Sequence, residues 1–156
     1  MDAAPPATPE ELEAHANVIE GWLAEQLDEN PSVEAFERDP DSDERRWIVR
    51  MAGEEKQHFS VWFHLRQRNL HVETYVMPGP EENHAQFYEH LLRRNLNLGG
   101  FAFAIGAEDA VFLLSQIPVG RITPDELDRL LGSTYAYVEQ CFRPAMRIGY
   151  ASRFKG

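Results

Sequence analysis

The sequence predicts one α+β domain in which helices cover an antiparallel sheet of about five strands. Apolar residues switch repeatedly between helical and strand spacing, which gives the order helix, three strands, helix, two strands, helix. Short polar reversals separate neighbouring strands, as is typical of antiparallel pairs. Of the 156 residues, 43% are hydrophobic, which is enough for one compact core.

The composition limits the partners and the compartment. Fifteen Lys and Arg against 26 Asp and Glu give a formal charge of -11, so neither nucleic acid nor an anionic membrane is an expected partner. No signal-peptide pattern and no stretch long enough to span a membrane is present. Cys141 is the only cysteine, which excludes an internal disulfide and favours the cytoplasm.

The first helix should start at Thr8-Pro9-Glu10-Glu11, a capping sequence with proline at the first helical position. It should end before Pro31, and the Pro-rich residues 1–8 should form a disordered tail. Residues 33–38 could form a short strand or a turn. Residues 9–149 then make up the domain, and residues 150–156 form a basic tail that could fold back on an acidic surface of this chain or of a partner.

Three strands are predicted at residues 46–51, 57–66 and 70–77. In the second and third strands, residues of one parity are almost all apolar, so this parity should face the core. These residues are Phe59, Val61, Phe63, Leu65, Leu70, Val72, Thr74 and Val76.

The second half should contain a crossing helix at residues 81–96, a hairpin at 101–105 and 110–117, and a last helix from Thr123. The hairpin is apolar on both parities, so both of its faces should be covered. Pro144 should kink or end the last helix. Cys141 lies on the apolar stripe of that helix, which favours a packing role over a reactive thiol.

Candidate chemistry is confined to one pair of strands. If Leu65 lies opposite Leu70, His64 faces His71 and Trp62 faces Glu73. Two imidazoles near a carboxylate could bind zinc, although a half-exposed pair on a sheet is the more common case. No nucleophile or phosphate-loop motif is present, so we expect no catalytic residue, no metal and no cofactor.

The sheet face opposite the core is the more informative surface. We place Trp47, Met51, Trp62, Tyr75 and Met77 there as a candidate partner-binding face. It is too apolar for an open surface and too polar for a dry core, so the chain's own segments, a second copy or a partner should cover it.

Three segments resemble one known family: Pro78-Gly79-Pro80-Glu81-Glu82-Asn83-His84, Phe101-Ala102-Phe103-Ala104-Ile105, and the stretch from Thr123 to Gly132. They resemble the YbjN-domain family of bacterial sensory transduction regulators in its actinobacterial form, over about residues 9–149. The resemblance implies a fold similar to type III secretion chaperones, small acidic proteins that usually dimerise and bind an extended client segment. It implies no catalytic residues.

These observations predict a non-enzymatic protein-binding module, chaperone-like or regulatory, that binds a client protein and forms a homodimer. The candidate dimer surface is Phe101, Phe103, Phe112 and Leu114. The alternative is a regulatory domain that senses a small ligand, although no polar cluster in the sequence marks a pocket for it. A hydrolase or metal-binding protein built on the His64, His71 and Glu73 cluster is a third reading.

Overall fold

The computed structural model describes residues 5–154, so part of the predicted tail, residues 1–4, lies outside the described residues. Three helices are formed: α1 (Pro9–Glu29), α2 (His84–Asn95) and α3 (Pro124–Gly149). The strands are β1 (Val33–Arg38), β2 (Arg45–Ala52), β3 (His58–Leu65), β4 (Asn69–Met77), β5 (Phe101–Ile105) and β6 (Val111–Pro118). No helix within residues 5–154 is long and apolar enough to cross a bilayer.

All six strands form one antiparallel sheet in the order β1-β2-β3-β4-β6-β5. The predicted α+β class and the order of its elements are confirmed, with one strand more than the predicted five. The additional strand is β1, the segment for which the sequence left strand and turn open. The predicted register of β3 and β4 is also confirmed, with Leu65 opposite Leu70 and His64 opposite His71.

The helices begin where the capping residues predict. The Thr8 hydroxyl accepts from the Glu11 amide at 3.2 Å, and the Glu11 carboxylate accepts from the Thr8 amide at 3.1 Å. Thr123 caps α3 in the same way, accepting from the Glu126 amide at 3.2 Å. These bonds satisfy amides that have no partner inside the helix.

The helix α3 does not end at Pro144, which corrects that part of the prediction. Cys141 and Ala145 are fully buried on both sides of the proline, and Gly149 fits closely against Phe87 of α2. Packing of the last two turns therefore outweighs the loss of one helical hydrogen bond at the proline.

The two faces of the sheet differ. One face packs against α1 and α3, and along β3, β4 and β6 its buried residues alternate with half-buried or exposed ones. We call it the covered face. Its buried side chains include Trp47, Val49, Met51, Val61, Phe63, Leu70, Val72 and Leu113.

The other face carries no helix from residues 5–154, and we call it the open face. Strand pairing arranges its residues in three rows across the sheet. The first row is Ile48, Trp62, Glu73, Leu114 and Ala102; the second is Arg50, Ser60, Tyr75, Phe112 and Ala104; the third is Arg46, His64, His71 and Gln116.

The edge strand β5 is tied to α2 by a single side chain. The Asn95 amide oxygen accepts from the Phe103 backbone amide at 2.7 Å, and its nitrogen donates to the Phe103 carbonyl at 3.2 Å. Both backbone groups point away from β6, because they bond to α2 instead.

The C-terminal segment folds back on acidic groups of its own chain, one of the two predicted possibilities. Arg153 pairs with Glu81 at 2.5 Å, and Arg143, which precedes the tail in α3, pairs with Glu55. The Ser152 amide and hydroxyl donate to the Glu82 carboxylate at 2.5 and 3.0 Å. Lys155, the other basic residue of the tail, lies outside the described residues.

Candidate functional site

The structure divides the predicted partner-binding residues between the two faces. Trp47 pairs with Phe63 and Met51 pairs with Phe59, so both lie on the covered face, where they are buried. Their predicted place beside Trp62 is therefore wrong. The sequence contains the signal that decides it: Arg46 and Arg50 share a parity with Ile48, and two arginines do not fit a dry core.

Met77 is misplaced for a different reason. The pairing of β4 with β6 shifts between Tyr75 and Met77, which is the geometry of a β-bulge. The extra residue turns Met77 inward, and both Val76 and Met77 are fully buried. Of the five predicted residues, Trp62 and Tyr75 remain on the open face.

The predicted dimer residues also separate. Phe101 and Phe103 are buried on the covered face, and the Phe101 ring packs edge-on against Tyr137 of α3 at 5.5 Å. Phe112 and Leu114 lie on the open face. The prediction that both faces of this hairpin are covered is wrong, because its second apolar parity consists of the half-buried Phe112, the exposed Leu114 and small alanines.

Aromatic rings and cations share the open face. Tyr75 is 44% exposed, and its ring packs edge-on against Phe112 at 5.7 Å. The Arg46 guanidinium lies over the Trp62 ring at 4.8 Å, and Lys56 lies 5.6 Å from the Tyr75 ring. Burial lowers the pKa of Lys56.

Two depressions lie along the first and second rows of the open face. The larger, of about 390 Å³, extends from Lys56 and Trp62 to Tyr75 and Phe112. The smaller, of about 260 Å³, extends from Phe112 to Leu114 and Ile105. Both are lined by Glu73 and Phe112, so they adjoin each other across the strands, and we call the two together the groove.

The facing histidines lie in the third row. His64 Nε2 lies 3.0 Å from a Glu44 carboxylate oxygen. Burial is the main cause that lowers the pKa of both His64 and His71, and nearby Arg66 lowers both further. Within residues 5–154 no three His, Cys, Asp or Glu side chains are grouped in a way that could hold a metal ion.

An apolar cleft between α2 and β5 was not predicted. Its volume is about 220 Å³, and its lining is Tyr88, Leu91, Leu92, Phe103, Ala104 and Ile105. Around it, Leu92 is 68% exposed, Leu96 is 86% exposed and Ile105 is 56% exposed. The helical spacing of Leu92 and Leu96, off the buried stripe of α2, is the signal that could have found it.

A polar pocket of about 310 Å³ lies between α1, the start of β1 and α3. Asp128 accepts from the Trp22 indole at 2.7 Å and from the Gln26 amide at 3.2 Å, while Asn30 donates to Gln26 at 3.1 Å. Met51 and Leu131 supply apolar lining. These residues are distant in sequence, and no local motif marks them.

Cys141 has the environment of a packing residue. It is fully buried, and burial raises the pKa of its thiol to about 11. The thiolate that nucleophilic chemistry requires is therefore scarce near neutral pH.

The fold defines the class of this protein: an α+β domain of the type III secretion chaperone fold. A chain of the heterodimeric ExoU–SpcU complex from Pseudomonas aeruginosa is 15% identical, with a TM-score of 0.57 over 81% of this chain and 96% of that chain. The Yersinia pestis chaperone SycH, solved with a fragment of YscM2, is 17% identical, with a TM-score of 0.53 over 81% and 98%. A chain of the ExsC–ExsE complex is 18% identical, with a TM-score of 0.53 over 82% and 93%.

The chain belongs to the YbjN family, described as "Putative bacterial sensory transduction regulator", whose model matches residues 15–145. This confirms the family inferred from the sequence. A search of curated proteins gives no significant match. Because the solved structures are all less than 25% identical to this chain, they establish the fold and leave the activity open.

Proposed function

We propose that this protein is a non-enzymatic protein-binding module, a chaperone-like or regulatory adaptor that binds a segment of a client protein on its open face. One observation carries the proposal: Trp62, Tyr75 and Phe112 line a groove on a sheet face that residues 5–154 leave without a helix. Rigid aromatic side chains around a concave surface are typical of protein interfaces. The three structural relatives are all complexes with protein partners, which supports the same reading.

The test removes the two rings and keeps the fold. Partners bound by the immobilised wild type are identified, and each one is purified for a direct affinity measurement. The double variant Trp62→Ala, Tyr75→Ala should weaken binding more than about tenfold, because buried aromatic anchors dominate interface energies. The matched control is Leu27→Ala, because Leu27 lies on α1 and is 45% exposed, almost the same as Tyr75. Equal affinity for the double variant and the control would show that the open face is not the binding surface.

The proposal includes a homodimer formed through the cleft between α2 and β5. Leu92, Leu96 and Ile105 are exposed around this cleft, and an apolar surface of this kind can pack against the same surface of a second copy. It replaces the sequence-based surface, of which Phe101 and Phe103 are buried inside the monomer.

Light scattering after size exclusion would count the subunits. We expect a dimer that the double variant Leu92→Glu, Leu96→Glu converts to a monomer, because each new charge would be buried without a partner. Val18→Glu, an exposed position on α1, serves as the control. A wild-type protein that is a strict monomer at tens of micromolar would remove this part of the proposal.

The second candidate is the small-ligand sensor, and the polar pocket at Asp128 favours it. Its mixture of carboxylate, amide and apolar lining suits a small polar molecule. A thermal-shift screen of soluble metabolites should then raise the midpoint of the wild type, because a ligand bound only by the folded state stabilises it. The shift should vanish in Asp128→Ala, and a screen without any shift would argue against this candidate.

A further inference from the structure

We infer, on the basis of the proposed function, that the open face recognises a short extended segment in which apolar residues flank a single Lys or Arg. The shape and the charge of the groove along the first two rows favour a client segment of this chemistry. A protein of the proposed kind could equally bind acidic or purely apolar segments, so this chemistry is a separate claim.

The shape of the groove fits an extended chain. One wall consists of Trp62, Glu73 and Leu114, and the other contains Tyr75 and Phe112. From β3 to β5 the groove crosses three strand spacings, roughly 14 Å, which is the length of about four extended residues.

The middle of the groove is suited to one cation. Glu73 is exposed, lines both depressions and forms no ion pair with another residue of the range 5–154. Burial is the main cause that raises the pKa of Tyr75, and the charge of Glu108, next to Ala107 at the end near β5, raises it further. A Lys or Arg beside Glu73 would therefore meet the one carboxylate among the residues that line the two depressions.

The other end of the groove limits the number of cations to one. Lys56 lines the larger depression, over the Tyr75 ring, and Arg46 lies over the Trp62 ring of β3. These two cations would repel a run of basic residues that extended toward β3. The apolar positions on either side of the bound cation face Trp62 and Tyr75 at one end and Phe112 and Leu114 at the other.

The close approach of Phe112 to the β5–β6 turn shapes the smaller depression. A Cβ added to Gly106 would lie 2.4 Å from the Phe112 ring, so the ring lies directly on the glycine backbone. Any larger residue at this position would displace the ring, which forms the boundary between the two depressions.

The test selects ligands without assuming a partner. A library of random nine-residue peptides displayed on phage is selected on the immobilised wild-type protein, and the enriched peptides are synthesised for affinity measurements. We expect apolar residues around one Lys or Arg. Glu73→Lys should weaken these peptides about tenfold, because it replaces an attraction by a repulsion. Changing the peptide's basic residue to Glu should restore binding to Glu73→Lys.

The matched control is Glu25→Lys, which changes the net charge equally at an exposed position of α1. Equal weakening by both variants would show a general effect of net charge and would overturn the inference. Enriched peptides without a basic residue, or no enrichment, would overturn it as well. If removing the Trp62 and Tyr75 rings abolishes client binding while Glu73→Lys leaves it unchanged, the proposed function stands and only the inferred chemistry fails.

Discussion

Trp47 and Trp62 lie on adjacent strands and on opposite faces of one sheet. Trp47 is fully buried, and its indole donates to the Glu20 carboxylate of α1 at 3.0 Å. Trp62 is partly exposed and has a guanidinium over its ring. A tryptophan thus anchors α1 to the covered face, and another tryptophan remains available for binding on the open face. A large aromatic ring that stays exposed indicates a binding surface, whereas the same ring fully buried belongs to the core.

The largest expected effect tests this difference directly. Trp47→Ala should lower the free energy of unfolding by about 3–5 kcal/mol, because it leaves a large cavity in the core. Trp62→Ala should cost about 1 kcal/mol, because water can replace the exposed part of the ring. Urea denaturation of both variants checks the prediction. Equal losses would mean that Trp62 belongs to a second core.

A smaller loss of stability is expected from a substitution in the turn between β2 and β3. The Glu139 carboxylate of α3 accepts from the Glu54 and Glu55 amides at 2.8 and 2.6 Å. A Cβ at Gly53 would lie 1.8 Å from that carboxylate and 2.5 Å from the Lys56 carbonyl. Gly53→Ala should therefore cost about 2 kcal/mol through loss of these hydrogen bonds.

The control for that prediction is Gly21→Ala, which should have the opposite sign. Gly21 lies in α1, and an added Cβ meets nothing within 4 Å. The alanine should stabilise the protein by about 0.5–1 kcal/mol, because it restricts the unfolded chain and favours the helix. A thermal melt of the two variants side by side should give midpoints on opposite sides of the wild type.

The smallest expected effect concerns pH and the open face. Burial, the main cause, holds the pKa of His64 and His71 below that of an unfolded histidine, about 6.5. The unfolded chain then binds more protons between the two values, so stability falls as the pH drops below about 6.5 and levels off under the folded pKa values.

The double variant His64→Gln, His71→Gln should therefore lose less stability than the wild type between pH 7.5 and pH 5.5, measured by urea denaturation. His90 should account for part of the remaining slope, because burial lowers its pKa as well. An identical slope in both proteins would show that the open face already lies in bulk water.

The sequence was sufficient for the features that depend on local patterns. The helix caps at Thr8 and Thr123 and the register of Leu65 with Leu70 follow from capping chemistry and alternation. The bulge before Met77 did not, because it depends on how β6 pairs. The polar pocket at Asp128 could not be predicted from the sequence either, because Gln26 and Asp128 come into contact only when α1 and α3 pack together.

The parity of β2 is an intermediate case. Its apolar residues fall on both parities, so Trp47, Val49 and Met51 could be assigned to either face. Two arginines on the opposite parity decide the assignment, which shows that charged residues define a face more reliably than aromatic ones. Ile48, the apolar residue between those arginines, is the open-face member that sequence reasoning missed.

The side-chain amide of Asn95 blocks hydrogen bonding at the β5 edge of the sheet. It occupies both backbone groups of Phe103 that a further strand would need, at the centre of a five-residue edge strand. A strand of another molecule therefore cannot form a continuous ladder of hydrogen bonds with β5. Aggregation by edge-to-edge strand pairing is blocked at the midpoint of this edge. Contacts made beside β5 must use side chains, whose fit can be selective and reversible.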